Sequence, residues 1–599
     1  MAETEEKPAA ENPDDAIEVN EQGEEVTSPT QAETSAEPKV VSSSHWSRFK
    51  NWYASKKKLT IPLTILGLLV LLFLIPQTRY PLAGAIYKKD FRVQVLDSAT
   101  NSPISGATVT SGSVSAQTGG SGQAVLHLGV GKHTFNISKT YYASQTGSYT
   151  VPILSEKTVP SISFVATGRQ VKITVTNTFS HQPLANVDIK FTDTDTKTDD
   201  QGNAIGVVPA TSTSEKVTLS LDGYNQTEAT VQSSNSQIMQ NNFNLTPSGK
   251  VYFLSKLSGK VDVVKTNLDG TDRQTVLAGT GFEDDTNTVL LASKDWKYLA
   301  LLSQRDSSPA KLYLIDTSNS DKLTVIDAGN ANFQPIGWDG YTFVYEVDRN
   351  NISPWKSNQS SIKSFNAATG QTIVLDNTTA VGTNQSNYAS QSYDYYARNF
   401  YLVGNALIYS KSWNWGDSFT DQASKSNGIY SINVDGSNPQ TLKTYPSDQY
   451  LDSFLYKPQT IYFHISANKD YYFTYESGAF SANQSIATVY QQYQKTYNNN
   501  TYLESPDGTQ TFWYESLDGK NSLFLGDAQG NNSKTIGRDP DLTPYGWYTN
   551  NYLLVSKNSS ELYILPTSGL SSTVSAYKVT DYHKPAYSYY GYGGGYGGL

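Results

Sequence analysis

Apolar and polar positions alternate with period two over most of the chain beyond residue 88, in short runs such as FRVQVLD, QAVLHLG, HTFNISK and VTLSLDG, with Gly, Pro, Asn and Ser between them. Successive side chains of a strand point to opposite faces, so each run predicts a half-buried β-strand and each interruption a turn. One stretch departs from this rhythm. Residues 59–76, LTIPLTILGLLVLLFLIP, are apolar and uncharged over 18 positions, which predicts a single transmembrane helix across a hydrocarbon core of ~30 Å. Pro62 falls in its first turn, where a missing amide donor costs little.

Arg48, Lys50, Lys56, Lys57 and Lys58 flank that run on its N-terminal side, against Arg79, Lys88 and Lys89 on the other. The excess predicts a cytoplasmic N-terminus and extracytoplasmic C-terminal domains, with 46–58 as a basic juxtamembrane segment. Ala83-Gly84-Ala85 has the small-x-small look of a processing site, but the leader before the apolar run is far longer than that of a signal peptide, so a retained anchor is expected. Residues 1–45 hold twelve acidic residues between Glu3 and Glu37 and few aromatics. They cannot bury enough apolar area to offset ordering entropy, and are expected to form a disordered acidic cytoplasmic tail.

Residues 88–166 and 168–246 follow one plan. Both carry a Pro-Ile/Leu-x-Gly/Asn-Ala/Val turn (Pro103 to Ala107, Pro183 to Val187), and the Asp199 to Gly202 hairpin of the second is loosened to Gly119 to Gly122 in the first. On these marks each module resembles the carboxypeptidase regulatory-like and Cna B-type family of prealbumin-like sandwiches. The resemblance implies rigid spacers or protein-contact units on a bacterial surface. Some relatives carry a Lys–Asn isopeptide bond beside a buried acid, roles for which Lys172, Asn244 and Asp188 are the candidates; ordinary solvated sheet-edge residues are the plainer reading. The loop Asp193, Asp195, Asp199 and Asp200 resembles a calcium loop but has Lys197 where an oxygen ligand is wanted.

From residue 249 to 580 a unit of ~47 residues recurs, an aromatic-rich strand, a hairpin, a second strand and a Gly turn before a Thr/Leu/Val strand, the size of a four-stranded propeller blade. Six units are plain; a divergent seventh is expected between Gln459 and Thr496, with IYFHIS, DYYFTYES and SIATVYQQ as three strands. The segment beginning Ser505-Pro506-Asp507-Gly508 resembles the WD40-like, TolB-type repeat. The expected fold is therefore mainly β: a transmembrane helix, two β-sandwich modules, then a six- or seven-bladed β-propeller, closed by a Tyr/Gly-rich flexible tail at 581–599. Asp269-Gly270, Asp435-Gly436, Asp507-Gly508 and Asp518-Gly519 suit hairpins needing positive φ.

Composition narrows the chemistry. Cysteine is absent, which removes disulfides, thiolate metal sites and cysteine nucleophiles; with the Asn-x-Ser/Thr triplets read as chance, a bacterial envelope fits. Outside the tail the chain is near neutral, and no basic stripe argues for nucleic acid. The histidines, His45, His127, His133, His181, His464 and His583, show no metal-ligand spacing. TolB-like propellers also cap prolyl-oligopeptidase-type hydrolases, but the Gly-x-Ser-x-Gly elbow is missing. No enzyme, metal or cofactor is therefore expected. Aromatic rings in polar loops stack on sugars or fill protein hot spots, which singles out Trp355, Tyr388, Tyr393, Tyr395, Tyr396, Trp413 and Trp415 as a ligand-binding group. The expected function is a non-catalytic cell-surface binding or adhesion protein held by membrane lipid, with an envelope protein or cell-surface glycan as partner. A scaffold subunit of an envelope complex is the alternative, and a hydrolase with a funnel site the third.

Overall fold

The computed structural model describes residues 45–55, 57–74, 84 and 87–583, except 154–158, 307–308, 350–354, 383–390, 398–399, 417–418, 497–501, 518–519, 538–540, 559 and 569–575. The acidic tail at 1–44, the Tyr/Gly-rich end from 584 and the Asp518-Gly519 turn lie outside the described residues. Residues 1–82 and 83–599 are two separate compact units.

In the first unit a helix over His45–Ser55 precedes one over Lys57–Leu74. Ile61, Leu63, Leu66, Leu68 and Leu71 of the second helix are all exposed. Two of its 18 residues are lysines at the N-terminal end, which leaves an apolar length of about 24 Å, short of a hydrocarbon core. Among the described residues no helix is long and apolar enough to cross a membrane, and residues 75–76 of the predicted span lie outside them.

Two four-plus-three sheet pairs open the second unit. In the first pair Lys88–Asp97 lies between antiparallel Gln123–Gly129 and parallel Ser161–Phe164, opposite a sheet ordered Val114–Gln117, Thr108–Ser111, Gly131–Ser138, Gln145–Val151. In the second pair Arg169–Asn177 lies between antiparallel Asn203–Val208 and parallel Met239–Leu245, opposite Asp195–Lys197, Asp188–Lys190, Ser214–Ser220, Thr227–Gln232. Order and sense are the same in both. The alternation read from sequence is why: Phe91, Val93 and Val95 are buried while Arg92 is exposed, and Phe91 stacks on Phe135 of the facing sheet at 5.6 Å. Val171, Ile173 and Val175 meet Val187, Ile189, Val217 and Leu219 in the second core. Gly122 and Gly202 both take φ +72°, a conformation costly for any residue with a Cβ, so the two hairpins are the same turn despite the loosened motif.

Among the described residues seven sheets follow between residues 250 and 581. The first has three strands, Lys250–Ser255, Asp262–Asn267 and Gln274–Leu277; the others, over 289–327, 332–377, 380–446, 450–482, 503–537 and 542–581, have four or more. Their ends meet: Val251, Phe253 and Val263 of the first sheet share a core with Leu299 and Tyr313 of the second and with Leu554, Leu562 and Ile564 of the last. Three buried tryptophans tie neighbours at the first strands. The Trp338 indole donates to Leu291 O at 3.1 Å, Trp547 to Leu503 O at 2.7 Å and Trp296 to Trp547 O at 2.8 Å. That last bond joins the second sheet directly to the seventh, past the sheet that has three strands among the described residues.

The divergent unit corrects one expectation. IYFHIS and DYYFTYES are strands, Thr460–Ser466 and Tyr471–Glu476, but SIATVYQQ is not. It forms a short 3-10 turn and the helix Ala487–Thr496, and the fourth strand is Ala479–Ala482. Ile486 and Tyr490, four apart and so on one helical face, are both buried against Tyr472; the period that decides here is helical, and the run was too short to show it.

Candidate functional site

Neighbouring strands within each of these sheets are antiparallel, and turns from the second to the sixth sheet meet at one end of the array. There the structure brings together residues from five sheets. Lys294 of the second sheet, Trp338 and Asp339 of the third, Leu402 of the fourth, Leu455 and Gln459 of the fifth, and Tyr502 and Glu504 of the sixth line one pocket of about 70 Å³. The Lys294 ammonium meets the Glu504 carboxylate at 2.5 Å across 210 residues of chain. The Asp339 backbone pairs with Thr342 in the sheet, while its carboxylate has no hydrogen bond or ion pair among the described residues. Burial pushes its carboxyl above the usual range; Lys294 opposes that shift and the like charge of Glu504 adds to it.

The local reason is the repeated turn. Asp507 Oδ1 accepts from Ser505 Oγ at 2.7 Å and from Thr509 N at 3.0 Å, and Asp295 Oδ1 accepts from Ser293 Oγ at 2.8 Å and Lys297 N at 3.1 Å. The Ser-x-Asp turn thereby fixes Lys294, its middle residue, and Glu504, the residue before its serine, on the pocket wall. Sequence reading passed over Lys294, Asp339 and Glu504 because each looks like an ordinary charged turn residue. The available signal was a charged residue in or beside the turn after the first strand of three units.

The loop aromatics lie at the opposite end of the strands. Tyr388 is outside the described residues. Tyr396 is 2% exposed and packs with Phe400, Leu407 and Tyr409 in the core between the third and fourth sheets, which corrects its placement in a binding surface: it sits where a strand residue must face the neighbouring sheet. The remaining rings split. Tyr393 pairs with Asn414 and Tyr395 with Ser412, whereas Trp413 pairs with Asp394 and Trp415 with Ser392; paired residues share a face and neighbours alternate, so the tyrosines and the tryptophans occupy opposite faces of one projecting hairpin. Trp355 joins Tyr393 at 4.3 Å, while Trp413, Trp415 and Phe419 form a stacked ladder with centroids 6.0 and 5.8 Å apart. Beneath the ladder, buried Lys411 holds Asp376 at 3.2 Å and Asp394 at 3.0 Å.

The sandwich candidates do not converge. Parallel register sets Gln240 beside Lys172 and Asn244 beside Thr176, four residues or roughly 13 Å from Lys172, and Asp188 is paired with Lys197 at 2.8 Å. Asp193 accepts from Tyr141 and Asp199 caps its own turn at Asn203 N.

No protein-family model matches the chain, and no curated protein matches it. Among solved structures it is similar to the β-propeller domain of the Trilobed protease from Pyrococcus furiosus, with 11% identity over 57% of this chain and 95% of that one and a TM-score of 0.32. It is similar also to an oligogalacturonate lyase from Vibrio parahaemolyticus (10%, 56% and 85%, TM-score 0.29) and to TolB from Acinetobacter baumannii (14%, 53% and 74%, TM-score 0.24). The likeness is one of fold, a TolB-like β-propeller over part of the chain. The names of two matched chains, a protease and a lyase, run against the expectation that this chain is not an enzyme, at a likeness that is one of fold alone.

Proposed function

We propose that the chain is a membrane-tethered surface protein that presents the axial pocket of a closed, seven-bladed propeller to an extracytoplasmic ligand, with two carboxypeptidase regulatory-like sandwiches as a stiff stalk. The observation that carries this reading is the convergence of Lys294, Asp339 and Glu504, from three sheets, on one pocket. Tethering is supported by the helix Lys57–Leu74, whose exposed apolar side chains at 61, 63, 65, 66 and 68 leave no face covered by protein; the run to residue 76 inserts in lipid with the N-terminus cytoplasmic. The stalk is supported by Phe179, buried among Tyr552 and Tyr577 of the last sheet at 5.7 and 5.3 Å.

The ligand belongs to the envelope, a wall glycan or an envelope protein. The test compares purified full chain with a Lys294→Met, Asp339→Asn, Glu504→Gln triple variant for binding to isolated wall glycan and to solubilised envelope protein. Binding by the parent and its loss in a folded triple variant is the expected result; equal binding by both removes the pocket from the function. Protease added to intact cells is expected to cleave beyond residue 87 and spare the acidic tail, and the reverse pattern ends the surface assignment.

A further inference from the structure

We propose that the axial pocket binds a primary ammonium group carried on a short aliphatic chain, with Asp339 as its counter-ion. This rests on reading the pocket as the ligand site, and names the chemistry it takes. The two carboxylates are not equivalent. Glu504 is already neutralised by Lys294 at 2.5 Å, whereas the Asp339 carboxylate lines the same space and makes no hydrogen bond or ion pair among the described residues. A desolvated carboxylate beside a second one favours a cation over a neutral guest or an anion.

The walls decide which cation. Trp338, Leu402, Leu455 and Pro458 are apolar and suit methylenes, and an indole beside the pocket favours an ammonium further. A space of about 70 Å³ holds a few waters at roughly 10–15 Å³ each, so an aminoalkyl end enters while a sugar ring does not. Among the described residues no group of three or more His, Cys, Asp or Glu is arranged to hold a metal ion. Ammonium binding also answers the upward shift of the Asp339 carboxyl: the bound cation favours its ionised form, so affinity rises as pH climbs through that titration.

The experiment is calorimetric titration of the full chain in detergent with n-butylamine and, separately, n-butanol. Saturable binding of the amine and none of the alcohol is expected, weakened at least about tenfold in Asp339→Asn. Lys294→Met is expected to act the other way, because it frees Glu504 and removes a repelling charge; the amine then binds several-fold tighter, a sign that damaged folding does not produce. Equal uptake of amine and alcohol, no amine uptake, or the same affinity in both variants overturns the proposal. If envelope material still binds in a pocket-dependent way while the amine does not, the ammonium assignment alone falls; if neither binds, the ligand-site reading falls with it.

Discussion

Asn177 donates its side-chain amide to the Tyr552 hydroxyl at 2.9 Å across 375 residues of chain, and Asp97, its counterpart in the first sandwich, accepts from Gln170 of the second. Both side chains use Oδ1 to cap the turn after their strand: Asp97 accepts from Ala99 N and Thr100 N, Asn177 from Phe179 N and Ser180 N. The second side-chain atom makes the joint. At the first joint Gln170 Nε2 and the Tyr142 hydroxyl both donate, which calls for a carboxylate; at the second the amide donates to the hydroxyls of Tyr224 and Tyr552. Gly249 completes the second joint, for a Cβ there would lie 1.5 Å from the Tyr548 hydroxyl oxygen.

Phe179→Ala is expected to cost about 3–5 kcal/mol, since it empties a buried site against Tyr552 and Tyr577, whereas Tyr552→Phe removes one hydrogen bond and costs about 1 kcal/mol. Calorimetry checks this. The parent's second sandwich and propeller are expected to melt together, and Phe179→Ala to split them into two transitions.

Lys139 of the first sandwich donates to the carbonyls of Ser105 and Asp195 at the joint between the sandwiches. Burial pulls its ammonium down to about 8, opposed by Asp195. An unfolded lysine titrates near 10.4, so between about 8 and about 10.4 the unfolded chain holds a proton that the folded chain has released. Stability is therefore expected to rise with pH across that window. Urea midpoints in this range test it: Lys139→Met should flatten the rise, and an unchanged slope would assign it elsewhere.

Trp296 stands at φ +60° where Gly508 occupies the matching turn of the sixth sheet at φ +72°. Its burial and its bond to Trp547 O hold it there. Trp296→Ala is expected to cost about 3–5 kcal/mol. Trp296→Gly loses the same indole but relieves the left-handed backbone, and should be the more stable of the two by about 1 kcal/mol. The reverse order in denaturant melts would show that the backbone is unstrained.

Removing Lys411 leaves Asp376 and Asp394 without their buried counter-charge, so Lys411→Met is expected to destabilise by about 3–5 kcal/mol at neutral pH. Burial already holds the Asp394 carboxyl above its ordinary range, with Lys411 opposing. Without the ammonium that shift grows, the folded state takes up a proton before the unfolded one, and the variant should regain stability as pH falls toward about 5. Thermal melts at several pH values check it; a loss independent of pH would mean that packing, not charge, is at issue.

Much of this protein is local, and so was legible in the chain. Period-two burial in Phe91, Val93 and Val95, the hairpin glycines at 122 and 202, and the Ser-x-Asp turns at 293 and 505 are set within a few residues by side-chain alternation and backbone sterics, and they determine strands, turns and the repetition of sheets. What tertiary structure alone decided depends on which strand ends meet. Lys294 and Glu504 are indistinguishable in sequence from other turn charges until the array curls and places them 2.5 Å apart. Tyr396 read as a loop aromatic until the third sheet covered it, and Tyr490 chose a helix because Tyr472 offered a surface to pack on. Such contacts are fixed by packing between elements distant in the chain, and a pattern read along one strand at a time carries no information about its neighbour.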